Sequence, residues 1–285
     1  MSTSLGFSKV SPWKILIWAL LLIMLFFTVV PLFFMLTASF MQNNQIVRMP
    51  YSWVPKPFHP QNYYHAMRGN DGSWIFPRNI FNSLVVSSVV AITTVVLAAL
   101  TGYGLSKFRF KGRTLVFMLI MGTMMIPFEA IMIPLYMVTR RLRVQNTYIG
   151  LILPFLVSAF GVFQMRQYLV TFPSEYLDAA RVDGMGELGI FWKIVFPNCK
   201  PVIATLSILT FRSQWDSLLW PLLVIQSEKM KTIPLYISKF SEEKMTNEGA
   251  MMAVAAIASI PMFMLFFSLS KFFIGGAAVY DSRKG

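Results

Sequence analysis

The sequence predicts an all-α, polytopic membrane protein, a bundle of six transmembrane helices. Two observations dictate this. Of 285 residues, 56% are hydrophobic and only 13% charged, more apolar surface than a water-soluble domain can hide. The charges are also segregated, leaving six nearly charge-free stretches of roughly 20 residues or more, the length a helix needs to cross a hydrocarbon core.

The first stretch, 15–47, follows Lys9 and Lys14 and stays apolar to about Leu36. That outruns the roughly 7–15-residue core of a signal peptide, so a retained helix is expected. The longest connection, 41–78, carries Pro50, Pro55, Pro57, Pro60 and Pro77 with Trp53, Tyr63 and Tyr64. It suits a segment lying along the membrane surface, and equally an irregular spacer. The second stretch, 79–106, is followed by KFRFKGR at 107–113, four basic groups in seven positions. Short basic loops stay in the cytoplasm, which puts the N-terminus inside and 173–201 on the same side two crossings later.

The third stretch, 114–139, contains Glu129; the fourth is 144–165; the fifth, 201–227, contains Arg212 and Asp216; the sixth is 249–270. Pro127, Pro134, Pro154 and Pro221 each remove a helical hydrogen bond and permit a bend. Bends suit helices around a changing pathway, but membrane bundles also tolerate proline generally. Thirteen of the 25 basic residues fall inside and eleven outside, chiefly because Arg140, Arg141 and Arg143 occupy a short outer loop. Orientation therefore rests on the 107–113 loop rather than on the total.

Composition also excludes function classes. One cysteine, Cys199, allows no internal disulfide framework, and two histidines, His59 and His65, are too few for a transition-metal site. The net charge of +13 is scattered over loops without interleaved stacking aromatics, which argues for contact with lipid headgroups and against nucleic acid. No glycine-rich phosphate loop with its Lys-Ser/Thr is present, and no catalytic constellation emerges, so no cofactor is expected on this chain.

The longest polar interruption in the second half is PSEYLDAARVDGMGELGIFWKIVFPNCKP, residues 173–201. Ser174 is placed to cap a helix from Glu175, and Glu175 and Asp178 put negative charge in its first turn, where the helix dipole favours it. Gly184 supplies a left-handed stop after Asp183. A second helix is expected over 187–196, with Leu188, Phe191 and Val195 on one face and Pro197 ending it. Ala179 and Ala180 would present a small-residue face that another protein can approach. The residues alone leave that reading beside another, an amphipathic connector lying on the bilayer.

This run resembles the signature loop of the membrane subunits of ABC importers: Glu-Ala-Ala, three residues, Gly, nine residues, Ile, one residue, Leu-Pro. Asp178, Ala179 and Ala180 stand for the triplet, Gly184 for the glycine, Ile194 for the isoleucine and Phe196-Pro197 for the last pair, at matching spacings. Asp for Glu and Phe for Leu are the two departures. Asn82-Ser83, KFRFKGR, MMIPFEAIMIPLY at 124–136, NTYIGLILP at 146–154, RQYL at 166–169 and WDSLLWPLLV at 215–224 are similar to carbohydrate-importer permeases of the maltose type, and to the second, six-helix partner of that pair.

The resemblance implies a single transmembrane domain over 1–285, with a permease core at about 75–275 and 173–201 as its coupling hairpin. It implies a second homologous permease, an ATPase dimer that binds ATP-Mg and docks at the hairpins, an extracytoplasmic solute-binding protein, and a saccharide moved by alternating access. Two rivals remain open on residues alone. Glu129, Arg212 and Asp216 are ionisable groups of the kind that relay protons in secondary transporters, while an intramembrane enzyme would need a reactive cluster that is not seen. Arg212 itself has two readings: an i, i+4 ion pair with Asp216, or a pathway residue that attracts an acidic saccharide.

Overall fold

The computed structural model describes residues 11–68, 72–242 and 247–281. Among them every regular element is helical: α1 (Pro12–Ala38), α2 (Asn43–Ile46), α3 (Gln61–Met67), α4 (Phe76–Lys107), α5 (Arg113–Thr123), α6 (Phe128–Arg141), α7 (Tyr148–Ile152), α8 (Ala159–Val170), α9 (Glu175–Val182), α10 (Glu187–Ile190), α11 (Phe196–Asn198), α12 (Lys200–Trp215), α13 (Leu219–Val224), α14 (Ile233–Glu242) and α15 (Glu248–Asp281). Three stretches are single helices long and apolar enough to cross a membrane: Pro12–Ala38, Phe76–Lys107 and Glu248–Phe272. Three more are helix pairs bent by 94° between α5 and α6, 45° between α7 and α8, and 78° between α11 and α12. Among the described residues the candidate crossings number up to six if each bent pair is one.

Two of these breaks fall at or beside prolines that the sequence marks as able to bend a span. Pro127 stands at the cap of α6 with extended backbone, and Pro154 lies in the 3-10 turn Leu153–Phe155 that leads into the second break. A proline removes one helical donor and disfavours helix at the residue before it, so the chain breaks there rather than curving. The first helix spans the apolar run and stops at Ala38, short of the 15–47 stretch. The fifth is interrupted after Trp215, with α13 a separate short helix.

The chain divides into two compact units, one of residues up to Ala66 with Glu243–Ile257, the other of Met67–Glu242 with the remainder of α15. In the first, the proline-rich segment folds back on the end of α1. Tyr51 packs on Phe34 at 4.7 Å, and Phe58 and Tyr63 pack on Phe40 at 4.7 and 4.9 Å. Asn62 is buried and donates to the carbonyls of Ser39 and Met41, satisfying the frayed end of α1.

In the second unit α4 is the central helix, packed against α8 and α12. Its inward face carries Val86, Val90, Thr94, Val95, Ala98, Ala99 and Gly102, a helical repeat of small and branched residues. Small residues let membrane helices approach closely, where dispersion rather than water expulsion holds them. At Gly102 a Cβ would sit 2.8 Å from the Cβ of Met165 and 2.9 Å from the amide nitrogen of Arg166.

Candidate functional site: the 173–201 hairpin and the intramembrane charges

The first hairpin helix, α9, ends in a Schellman motif. Gly184 has φ +77°, its N–H reaches the carbonyl of Arg181 at 3.0 Å, and that of Met185 reaches Ala180 at 2.9 Å. The glycine stop is therefore met as expected. The Ser174 cap is not: its backbone is already helical and its side chain accepts no capping bond, while its carbonyl takes the amides of Leu177 and Asp178.

The second half departs from the expected helix over 187–196. Its α-helical turn α10 widens into a π-turn over Phe191–Val195, with the N–H of Phe196 reaching the carbonyl of Phe191, and continues as α11. Pro197 does not end the helix. A proline has no N–H to give the carbonyl four residues back, and the widened turn passes it without that bond. The Asn198 side chain donates to the carbonyl of Ile194 at 2.7 Å, and the break comes at Cys199. The buried stripe shifts accordingly. Ile190, Phe191 and Val195 are buried with Leu177, whereas Leu188 is 72% exposed.

The small-residue face divides as well. Ala179 is exposed but Ala180 is buried against the core under the hairpin. The large apolar side chains that the hairpin leaves exposed are instead Tyr176, Val182 (88% exposed), Leu188 and Trp192. Glu175, Asp178, Asp183 and Pro197 are exposed, and Ile194 is half-buried against the core.

Polar contacts hold the two halves together and to α4. Arg181 Nη1 lies 2.7 Å from Asp178 Oδ1, and its Nε lies 2.8 Å from Glu187 Oε1. The Tyr103 hydroxyl on α4 donates to Glu187 Oε2 at 2.8 Å. The hydrogen bond from Arg181 holds the Glu187 carboxyl below its ordinary range against partial desolvation, and the Tyr103 hydroxyl adds to the effect. Nearby, Lys107 at the end of α4 donates to the carbonyl of Phe172, just before the hairpin.

The three candidate pathway groups lie elsewhere. Glu129 is exposed in the first turn of α6, immediately after the 94° bend. Arg212 Nε is 3.4 Å from Asp216 Oδ2, with side chains 68% and 61% exposed. Because α12 ends at Trp215, Arg212 occupies its last turn rather than the middle of an unbroken span, where the helix dipole favours a cation.

One polar row on α4 was readable only in part. Asn82 donates to the carbonyls of Lys229 and Lys231 and accepts from the Tyr148 hydroxyl at 2.6 Å, and Ser83 accepts from the amide of Ile233. These bonds fasten the 228–233 connection to α4. The signal was present as two adjacent polar residues opening an apolar run, but their partners on the 228–233 connection lie some 150 positions away.

The family model described as "Binding-protein-dependent transport system inner membrane component" matches residues 94–276. The chain belongs to that family. It is 34% identical over 251 residues to an arabinooligosaccharides transport system permease protein of Bacillus subtilis, covering 87% of this chain and 88% of the relative. It is 36% identical over 200 residues to a lactose transport system permease protein of Rhizobium radiobacter, covering 70% and 73%. It is 32% identical over 259 residues to a sn-glycerol-3-phosphate transport system permease protein of Yersinia enterocolitica, covering 89% and 91%. The fold is that of a chain in the crystal structure of a bacterial ABC transporter involved in the import of the acidic polysaccharide alginate, with TM-score 0.81 at 22% identity, covering 94% of this chain and 99% of that one. This family member is thus a multi-pass inner-membrane transport subunit, not an enzyme in its own right.

Proposed function

We propose that this family member is the permease of an ATP-driven importer that passes a saccharide from an extracytoplasmic binding protein to the cytoplasm. The hairpin carries the reading. Its exposed Tyr176, Val182 and Leu188 leave apolar side chains for an ATPase partner to cover, on a structure clamped to α4 through Glu187. Closure of an ATPase dimer would pull on the hairpin, and the Tyr103 bond would pass that pull to the central helix. Such a lever supplies the differential interaction with two states that alternating access requires. ATP-Mg binds in the partner subunits, and a second homologous permease completes the pathway.

A saccharide cargo is supported by the relatives named for arabinooligosaccharides and lactose. Uptake of labelled sugars by cells expressing this chain with its partner genes tests the proposal. Uptake should stop on ATP depletion and on loss of the binding protein. Uptake that survives ATP depletion but collapses with the proton gradient would establish a secondary transporter instead.

An acidic cargo is the narrower form of the proposal, supported by the exposure that Arg212 keeps despite Asp216. A guanidinium fork matches a carboxylate in two hydrogen bonds. Arg212→Gln should abolish uptake of an acidic saccharide and spare a neutral one. Equal loss of both, or of neither, leaves Arg212 as the partner of Asp216.

A further inference from the structure

At the end of α6 three arginines fall within four positions, Arg140, Arg141 and Arg143, at the end of the α5–α6 crossing opposite the 107–113 loop. Three unneutralised cations beside an apolar helix oppose the tendency of short basic loops to stay inside, so a compensating anion is expected. The chain does not supply one: none of the three forms a side-chain ion pair or hydrogen bond among the described residues. Together with Met137 and Val138 they line a cleft of about 550 Å³.

Arg140 and Arg141 stand in the last turn of α6, and hydrogen bonds fix the turn after them that carries Arg143. Arg143 and Asn146 adopt φ +57° and +55°, an uncommon region for residues with a side chain. Asn146 donates its N–H to the carbonyl of Val224 at 3.0 Å, and its Oδ1 accepts the amides of Gln226 and Ser227 at 3.2 and 3.0 Å. Neighbouring Gly150 has no room for a side chain, since a Cβ there would lie 2.2 Å from the carbonyl oxygen of Val144. A cationic cleft on a fixed loop loses little freedom on binding.

We propose that this cleft binds the phosphodiester headgroup of an anionic phospholipid. Arginine matches phosphate with paired N–H donors. The apolar wall selects lipid over a free anion, because Met137 and Val138 are 65% and 53% exposed where an acyl chain would lie. It also disfavours the acidic surface of a soluble protein, which would leave that wall uncovered. The proposal rests on the reading of α5 and α6 as one crossing, and its test reads lipid binding rather than transport, so the importer reading can fail independently.

The full chain, purified in neutral detergent with its co-expressed partners, is titrated with phosphatidylglycerol, phosphatidylcholine and inorganic phosphate, and retained lipid is counted by native mass spectrometry. Phosphatidylglycerol should bind, and the R140Q/R141Q/R143Q variant should bind it about fivefold more weakly per arginine, roughly a hundredfold in all. The Arg→Lys triple variant, which keeps the charge, should fall between, and the loss per residue should exceed that of an R109Q/K111Q variant, whose side chains do not line this cleft. Equal binding of phosphatidylcholine, competition by inorganic phosphate alone, or loss of binding-protein association with lipid retention unchanged would each overturn the proposal.

Discussion

Gly184 makes the turn of the hairpin, because its φ of +77° lets the chain leave α9 and enter the second half. No atom lies within 4 Å of a Cβ there, so a substitution meets strain in the backbone and not a clash. The left-handed conformation costs a side-chain-bearing residue about 1–2 kcal/mol, and a β-branched one is worst placed. Gly184→Val should relieve that strain by re-aiming the second half, so uptake and sugar-stimulated ATPase activity should fall together while the binding protein still takes its sugar. Wild-type transport by reconstituted Gly184→Val would reduce the glycine to a spacer. Glu187 works through charge. A carboxyl held below its ordinary pKa contributes stability above its unfolded value and loses it as pH falls through the folded one. Both partners of the Arg181 pair are more than one third exposed, which limits its worth to below about 1 kcal/mol. Glu187→Gln should therefore lower the melting temperature slightly at neutral pH, and the gap from wild type should close in acid. A gap that stays constant through the carboxylate range would show that the clamp acts by packing.

Among the elements, α4 and α8 meet where Gly102 faces Met165 and the backbone of Arg166. Gly102→Leu should force the helices apart at a cost of about 1–3 kcal/mol or more, read as lost yield and a lower melting temperature, whereas Gly104→Leu meets open space and should be tolerated. The contrast between these neighbouring glycines was not legible in the sequence, since both interrupt the same apolar run. What was legible followed from residues whose conformational rule is local. Gly184 stops a helix because of its own φ, and Pro127 breaks a span because of its own missing donor. The π-turn was hidden because it depends on how Phe191 and Val195 seat in the core beneath, which shifted the buried stripe away from Leu188. Ala179 and Ala180 look alike in sequence, and only packing distinguishes the exposed one from the buried one.

For the whole molecule the open physical question is orientation, because basic residues are nearly balanced between the two faces while one loop, 107–113, is strongly basic. If that loop is cytoplasmic, the hairpin lies on the same side and the α6 end on the other. The single native thiol, Cys199, is buried, so it contributes little background to thiol labelling. Gly186 is exposed with open space around its Cα, and Leu142 is exposed beside the arginine loop. A cysteine at Gly186 should react with a membrane-impermeant maleimide only after the cells are opened, and should be shielded when the ATPase subunit is co-expressed. A cysteine at Leu142 should react in intact cells. Reversal of both patterns would turn the bundle over and remove the hairpin from the ATPase. Labelling of both from outside would mean that α7 and α8 do not make a crossing, since the chain between Leu142 and Gly186 would then begin and end on one face.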